Sequence, residues 1–394
     1  MTTRLPPPKR KDPVKRTRMP TYPPGNRSRE AQGLAAMAAS GRFALQTCQR
    51  CSSVHYPPRQ ICKKCLSGEL EWQDVSNGGK LLAETTLQHS NDLFFRDRLP
   101  WRLGVVRADI GLSIVAHLSE DCTQGERIRL SLNLDRAGNA VVTAQPENPT
   151  SNEEDDLQLR EMAFDPKDRR VLIVDGKTVL GHGFAKAIAN SGARDIFVGY
   201  AQPWKASPHL EEVKKIDKVT LFPLDVTDTD SVEELASMIG DKVEILVNNS
   251  YHLRMGGVID HFDINTAHDE MEIHYHGLLR LAGMFGPVMR SRGADGNHGA
   301  AAWVNVFSAY ALINNPKLAT YSASQAAALS LSQCLRTELT AGGVRVVNAF
   351  IGPIEDEWHQ LAPPPKLIPD TVAERIVKAL QKGMEDIPIG AVSY

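Results

Sequence analysis

The rhythm of apolar and polar positions changes near Arg169. Beyond it, short apolar runs stand apart: VLIV (171–174), DIFV (195–198), VTLFPL (219–224), VEILV (243–247), AWVNVF (302–307) and VRVVNAF (344–350). Longer segments with apolar residues at helical spacing separate them. Runs bounded this way read as strands buried on both faces, so the pattern predicts a parallel sheet covered by helices on both sides. The segment from Ala267 to Met289 and the stretch YSASQAAALSLSQCLRTEL are two of the expected helices, with packing as the default role of their apolar faces. Before Arg169 the rhythm is that of half-buried strands. ERIRLSLNL places Ile128, Leu130, Leu132 and Leu134 on one face, and DRAGN supplies a turn before AVVTA. Between the two regimes, PENPTSNEEDDLQLREMAFDP is acidic and prolyl, the composition of a linker.

Length and charge narrow the picture. A chain of 394 residues is too long for one ordinary core, so more than one domain is expected. A net charge of −2 suggests neither a nucleic-acid partner nor an anionic membrane. No apolar run approaches the roughly 20 residues that span a bilayer. The N-terminus is basic and proline-rich without a hydrophobic core, so it reads as an irregular arm and not as a secretory signal. A cytoplasmic protein is expected, which makes the sequons NRS and NNS incidental.

Four of the six cysteines crowd into a short stretch. Cys48 and Cys51 form one C-x2-C knuckle, and Cys62 and Cys65 form another. Four thiolates in two short knuckles suit a closed tetrahedral zinc site. Two disulfides are the alternative, disfavoured in a reducing compartment; iron bound by the same four sulfurs also satisfies the pattern. Cys122 and Cys334 stand alone and read as packed apolar residues.

The stretch VLIVDGKTVLGHGFAKAIA (171–189) carries the other candidate chemistry. A P-loop needs a glycine five residues before the Gly-Lys pair, and that position is Val171, so this reading fails. What remains is a strand, Val171 to Val174, then a turn with Gly176, Gly181 and Gly183, then a helix expected from near Phe184. Such a turn lets backbone approach a pyrophosphate at a helix N-terminus. A tight strand-to-helix turn without a ligand has the same appearance.

Two resemblances emerge from these motifs. The two knuckles, HYPPR between them, LEW after the second and GGKLLAETT beyond resemble the zinc-ribbon/OB-fold family that accompanies thiolase-like enzymes and acyl-CoA metabolism. That resemblance covers about residues 4 to 146. It implies a structural zinc and a module that docks on a thiolase-fold partner or handles acyl-CoA, with nucleic acid unlikely. From Asp165 the chain resembles the short-chain dehydrogenase/reductase family: the glycine turn, LDVTD with Asp225, LVNNS with Asn248 and Asn249, WVNVFSAYA with Ser308, and YSASQAAALS with Tyr321 follow in order.

The second resemblance implies a Rossmann domain that dimerises through helices, binds NAD(P) at Gly176, Gly181, Gly183, Asp225 and Asn248, and moves a proton through Tyr321 with Ser308 holding the substrate oxygen. The chain departs from the family at the lysine, here Gln325, and at the relay asparagine, here His274. The cofactor turn departs too, with Asp175 in place of a threonine and four residues between Gly176 and Gly181. A tyrosine titrates near 10, and bringing it near 7 takes roughly 4 kcal/mol that a neutral glutamine does not supply. The expected architecture is multidomain: a basic prolyl arm and helix (1–40), a zinc ribbon (41–77), an OB-like β-barrel (78–146), an acidic linker (147–166) and a doubly wound Rossmann domain (167–394). Two functions follow from it. One is an accessory subunit of acyl-CoA metabolism whose dehydrogenase-like domain is a dimerising, non-catalytic scaffold. The other is an active NAD(P)-dependent 3-hydroxyacyl-CoA dehydrogenase, in which His274 replaces the relay and Lys177 or Lys205 reaches a phosphate.

Overall fold

The structure, a computed structural model, describes residues 22–25, 28–96, 98–148, 156–259, 263–292, 299–360 and 364–390. The basic prolyl arm (1–21) and the centre of the acidic linker (149–155) lie outside them. Two compact units divide the chain, one built on Thr21–Phe164 and one on Asp165–Leu380 with Glu385–Tyr394.

In the first unit, helix α1 (Glu30–Ala39) precedes a three-stranded sheet in which β1 (Ala44–Cys48) pairs antiparallel with β2 (Val54–His55) and β3 (Leu70–Asp74). Five further strands follow: β4 (Gly78–Leu87), β5 (Trp101–Ala108), β6 (Ser113–Leu118), β7 (Arg127–Leu134) and β8 (Ala140–Pro146). They close into a barrel in the order β4-β5-β6-β8-β7. Closure leaves no open edge for another chain to extend. The alternation read in β7 holds, because Ile128, Leu130, Leu132 and Leu134 are all buried and point inward beside Leu81, Val106 and Leu118. Leu34 and Ala38 of α1 join that core. Two short helices, α2 (Leu93–Arg96) and α3 (Leu157–Arg160), complete the unit.

The second unit is a parallel sheet in the order β11-β10-β9-β12-β13-β14-β15 among the described residues. Its strands are β9 (Arg170–Ile173), β10 (Asp195–Tyr200), β11 (Val219–Pro223), β12 (Ile245–Asn248), β13 (Ala302–Ser308), β14 (Arg345–Ile351) and β15 (Asp386–Ile389). The strand order reverses between β9 and β12, which opens a crevice beyond their C-terminal ends, the usual ligand position in such sheets. The helices are α4 (Val179–Asn190), α5 (Pro208–Val213), α6 (Thr229–Ile239), α7 (Ile264–Met271), α8 (Gly277–Arg292), α9 (Ala319–Thr340) and α10 (Pro369–Gln381). Trp303, Phe285, Leu281 and Leu335 form much of one face's core. No helix of the described residues is long and apolar enough to cross a membrane.

Two expectations need correction. Helix α4 starts at Val179, five residues before Phe184, because Thr178 caps it: its hydroxyl accepts the Gly181 N–H at 3.0 Å. Cys334 is exposed on α9, whereas Cys122 is buried as a packed residue. The long helical segment 264–292 is also not uniform. A wide π-helical turn at Glu272–His276 joins α7 to α8 and rotates His274 into the interior, while His276 stays exposed against Glu272.

Candidate functional site

The ribbon's cysteines arrive from two hairpin turns. Cys48 ends β1, and Cys51 follows in the turn to β2; Cys62 and Cys65 sit in the equivalent turn before β3. All four sulfurs lie within 4.8 Å of one another, with Cys48–Cys65 at 3.6 Å and Cys51–Cys62 at 3.5 Å. Zinc–sulfur bonds of about 2.3 Å in a tetrahedron require sulfur separations slightly under 4 Å, so the donor set fits the ion. Outer donors converge on Cys62: the Ser53 hydroxyl at 3.2 Å, His55 Nε2 at 3.3 Å and the Lys64 N–H at 3.3 Å. Burial alone raises this thiol, but hydrogen bonds from Ser53, from the Cys65 and Lys64 backbone and from Cys51 outweigh it and bring it down to about 5, which favours the thiolate. Ser53 and His55 carried no signal in the sequence beyond their position between the knuckles.

The second site is a cavity of about 20 Å³ at the C-terminal ends of β12, β13 and β14. Ser308 ends β13 and Tyr321 and Gln325 lie one turn apart on α9, so strand and helix bring the three side chains together beside Asn249, Leu180 and Gly352. Gln325 Oε1 accepts the backbone N–H of Ser308 at 2.9 Å, and the Ser308 hydroxyl accepts the N–H of Tyr310 at 3.2 Å. Burial pushes the Tyr321 phenol well above its ordinary range. A hydrogen bond with Ser308 opposes that shift, and the Glu270 and Asp356 carboxylates add to it. Among the described residues, no lysine or arginine lines the cavity.

Residues 169–362 match the family model of short chain dehydrogenases. Residues 35–71 match the ChsH2 rubredoxin-like zinc ribbon domain, and residues 72–132 the ChsH2 C-terminal OB-fold domain. The chain is a ChsH2-type ribbon and barrel fused to a short-chain dehydrogenase domain. The short-chain dehydrogenase PC-15 of Penicillium crustosum is 29% identical over 195 residues, 48% of this chain and 67% of its own length. Estradiol 17-beta-dehydrogenase 2 of Rattus norvegicus is 26% identical over 214 residues, and the match spans about half of each chain, 50% and 53%. A short chain dehydrogenase from Burkholderia cenocepacia J2315, solved in complex with NADP, shares 29% identity with a TM-score of 0.52 over 58% of this chain and 90% of its own.

The dehydrogenase domain uses several of the expected site residues structurally. Asn249 bridges the two central strands, accepting the Asp175 N–H at 2.9 Å and donating to the Asp175 carbonyl at 2.7 Å. Asn248 accepts the Ser250 hydroxyl at 2.7 Å, and Asp225 accepts the Thr227 hydroxyl at 2.6 Å. Neither lines the cavity, nor do Gly176, Gly181 and Gly183. In the glycine turn, a Cβ on Gly181 would stand 2.0 Å from the Asp175 carbonyl oxygen, so the loop folds onto itself there. Gly181→Ala is expected to destabilise the domain by about 1–3 kcal/mol in urea unfolding, since the clash is with backbone that cannot rotate away.

Lys177, a candidate phosphate ligand, has its ammonium bound to the carbonyls of Gln202 at 2.6 Å and Lys205 at 2.7 Å. Those contacts take up two of its three N–H donors. Burial raises Asp175 above the ordinary carboxylate range, with Lys177 pulling the other way.

His274 occupies no position in the cavity lining. Its Nε2 accepts the N–H of His252 at 3.0 Å, and its Nδ1 meets Ser324 Oγ at 2.8 Å, whose hydroxyl donates to the Tyr321 carbonyl at 2.9 Å. This chain fixes the neutral tautomer with hydrogen on Nδ1. Burial, helped by His252, lowers its pKa to about 3. At neutral pH the ring is therefore uncharged, with one nitrogen engaged by the His252 N–H and the other by Ser324. The unfolded chain takes up this proton near pH 6.5, whereas the folded domain resists until about pH 3. The contribution is therefore complete above pH 6.5 and declines as pH falls through that window, by up to roughly 5 kcal/mol. His274→Asn is expected to flatten the fall of the urea midpoint between pH 6.5 and 4.

Sequence reasoning passed over Tyr251 and His359, which line the cavity, and Asp356, which is hydrogen-bonded to both. Tyr251 follows β12, and Asp356 and His359 lie in the loop after β14. The only available signal was the three-residue spacing of an acid and a histidine in EDEWH.

Proposed function

We propose that this protein is an accessory subunit of acyl-CoA metabolism. In this reading the ribbon and barrel dock on a thiolase-fold partner, and the dehydrogenase domain dimerises as a scaffold without transferring hydride. One observation carries the reading: where the family places a lysine beside the reactive tyrosine, Gln325 holds the Ser308 N–H at 2.9 Å and Tyr321 is kept a neutral phenol by burial. Without a nearby cation the phenol has no means of becoming a base at neutral pH.

The chemistry of the four cysteines suits zinc, held by Cys48, Cys51, Cys62 and Cys65. Bound zinc supplies folding energy to the ribbon and, with all four positions taken by sulfur, no open site for substrate. In the alternative reading, NAD(P) would supply the hydride, with Leu180, Asn249 and Gly352 bordering it. This chain's own residues at that place donate hydrogen bonds through Ser308 and Tyr321.

A second reading, an NAD(P)-dependent 3-ketoacyl-CoA reductase, draws on the retained Ser308–Tyr321 pair and on the NADP bound by the Burkholderia relative. Copurification from the native host separates the two. The accessory reading expects a thiolase-fold protein held in stoichiometric amount and released when zinc is stripped, with light scattering giving a dimer of this chain. A protein that purifies alone and turns over a ketoacyl-CoA with NADPH contradicts it.

A further inference from the structure

The loop after β14 holds a pair of groups that neither reading uses. Asp356 has a side chain only 2% exposed. Its Oδ1 accepts His359 Nδ1 at 2.7 Å, together with the N–H groups of Trp358 at 3.1 Å and His359 at 2.8 Å. Its Oδ2 accepts the Tyr251 hydroxyl. Burial works against this carboxylate, but the hydrogen bonds from His359 and Tyr251 outweigh it and hold it below the ordinary range. A carboxylate that receives Nδ1–H fixes the tautomer of the imidazole and leaves the lone pair on Nε2. This is the arrangement by which an orienting acid equips a histidine as a base.

His359 lines the same cavity as Ser308 and Tyr321. That cavity therefore combines an oriented imidazole with two hydroxyl donors. Donors aimed at a carbonyl oxygen stabilise the charge that develops there when a neighbouring C–H proton leaves. Such a site needs a phenol that stays protonated, which is what burial gives Tyr321. The cofactor reaction needs the opposite. The same feature that weakens the domain as a dehydrogenase suits it to enolisation.

The choice of an acyl thioester rests on the acyl-CoA role proposed above. Met255, Val258 and Ile259 are exposed apolar residues on the loop after β12, which is held against the segment before Tyr321 by Gly256 N–H to Lys317 carbonyl at 2.9 Å. Leu312 and Ile313, just beyond Ser308, are exposed as well. Apolar side chains on both loops suit an aliphatic acyl chain.

We propose that Asp356 and His359 form a carboxylate–imidazole pair that removes the α-proton of an acyl thioester whose carbonyl oxygen is held by Ser308 and Tyr321. The Cα–H bond breaks and its proton passes to His359 Nε2. Its electron pair forms the carbon–carbon double bond of the enolate while the carbonyl π pair moves to oxygen. Return of a proton to carbon regenerates the thioester, so no oxidant, reductant or nicotinamide takes part. The Tyr251 ring, which also lines the cavity, stacks on His359 at 6.3 Å between centroids.

The full-length zinc-loaded protein, without nicotinamide, is incubated with propanoyl-CoA and octanoyl-CoA in deuterium oxide, and α-deuterium is read by mass spectrometry. Incorporation above the buffer rate is expected, faster with octanoyl-CoA. His359→Gln is expected to lower it about 100-fold or more, the usual scale for a general base. Asp356→Asn, which keeps a side-chain oxygen to accept the Trp358 and His359 N–H groups, is expected to lower kcat about tenfold with KM unchanged. Incorporation at the buffer rate with both thioesters overturns the proposal, as does incorporation undiminished in either variant. NADPH oxidation, measured separately on the same protein, reports on hydride transfer alone, so the two readings fail independently.

Discussion

Chelating the metal from Cys48, Cys51, Cys62 and Cys65 is expected to unfold the ribbon. Although β1 is buried throughout, β2 spans only two residues and no residue of β3 is fully buried. Zinc binding to four-cysteine sites is worth about 10–16 kcal/mol, far more than such a small sheet supplies by packing. A chelator, or Cys62→Ser, should therefore release one equivalent of zinc and open residues 44–74 to limited proteolysis. His55→Ala should act more gently. It removes the contact to Cys62 at 3.3 Å, and a loss of metal affinity of about 10–100-fold is the usual result of deleting such an outer donor. Metal-free protein with an unchanged proteolysis pattern contradicts this account of the ribbon.

Gln325→Lys is expected to have the second large effect, and a divided one. A cation one helical turn from Tyr321 should lower the phenol's pKa by roughly one to three units. The same change removes the acceptor of the Ser308 N–H, which leaves a buried donor unpaired at a cost of about 1–3 kcal/mol. Carbon-13 NMR of labelled tyrosine, assigned with Tyr321→Phe, reads the first effect, and urea unfolding reads the second. Loss of stability with no movement of the Tyr321 titration indicates that the substituted side chain turns away from the phenol. A titration already near neutrality in the parent chain contradicts the role given to Gln325.

Much of the fold was legible because burial writes itself into periodicity. The continuous apolar runs of β12 and β14 and the strict alternation of β7 left little room for another layer arrangement. The cysteine knuckles were equally plain, since a soft metal needs four sulfurs at short spacing. The start of α4 was misjudged for a local reason: glycines at 181 and 183 read as loop, whereas Thr178 caps a helix that already contains them. Gly181 is there because the Asp175 carbonyl approaches so closely, a contact that spacing does not reveal.

The replacements at Gln325 and His274 could be read as departures, but not what the new side chains do. Gln325 turns to a backbone N–H, and a π-helical turn carries His274 to a neighbouring loop. The Tyr251–Asp356–His359 cluster joins a loop after β12 to one after β14, more than 100 residues apart, and no motif links them. Such clusters become visible only when the sheet brings its loop ends together.

The central claim is that the dehydrogenase domain does not carry hydride. Calorimetric titration with NADPH and NADH, followed by single-turnover absorbance with a 3-ketoacyl-CoA, tests it most directly. Flat titrations at millimolar coenzyme and no absorbance change are the predicted result. Saturable binding with NADPH oxidation that disappears in Tyr321→Phe contradicts it.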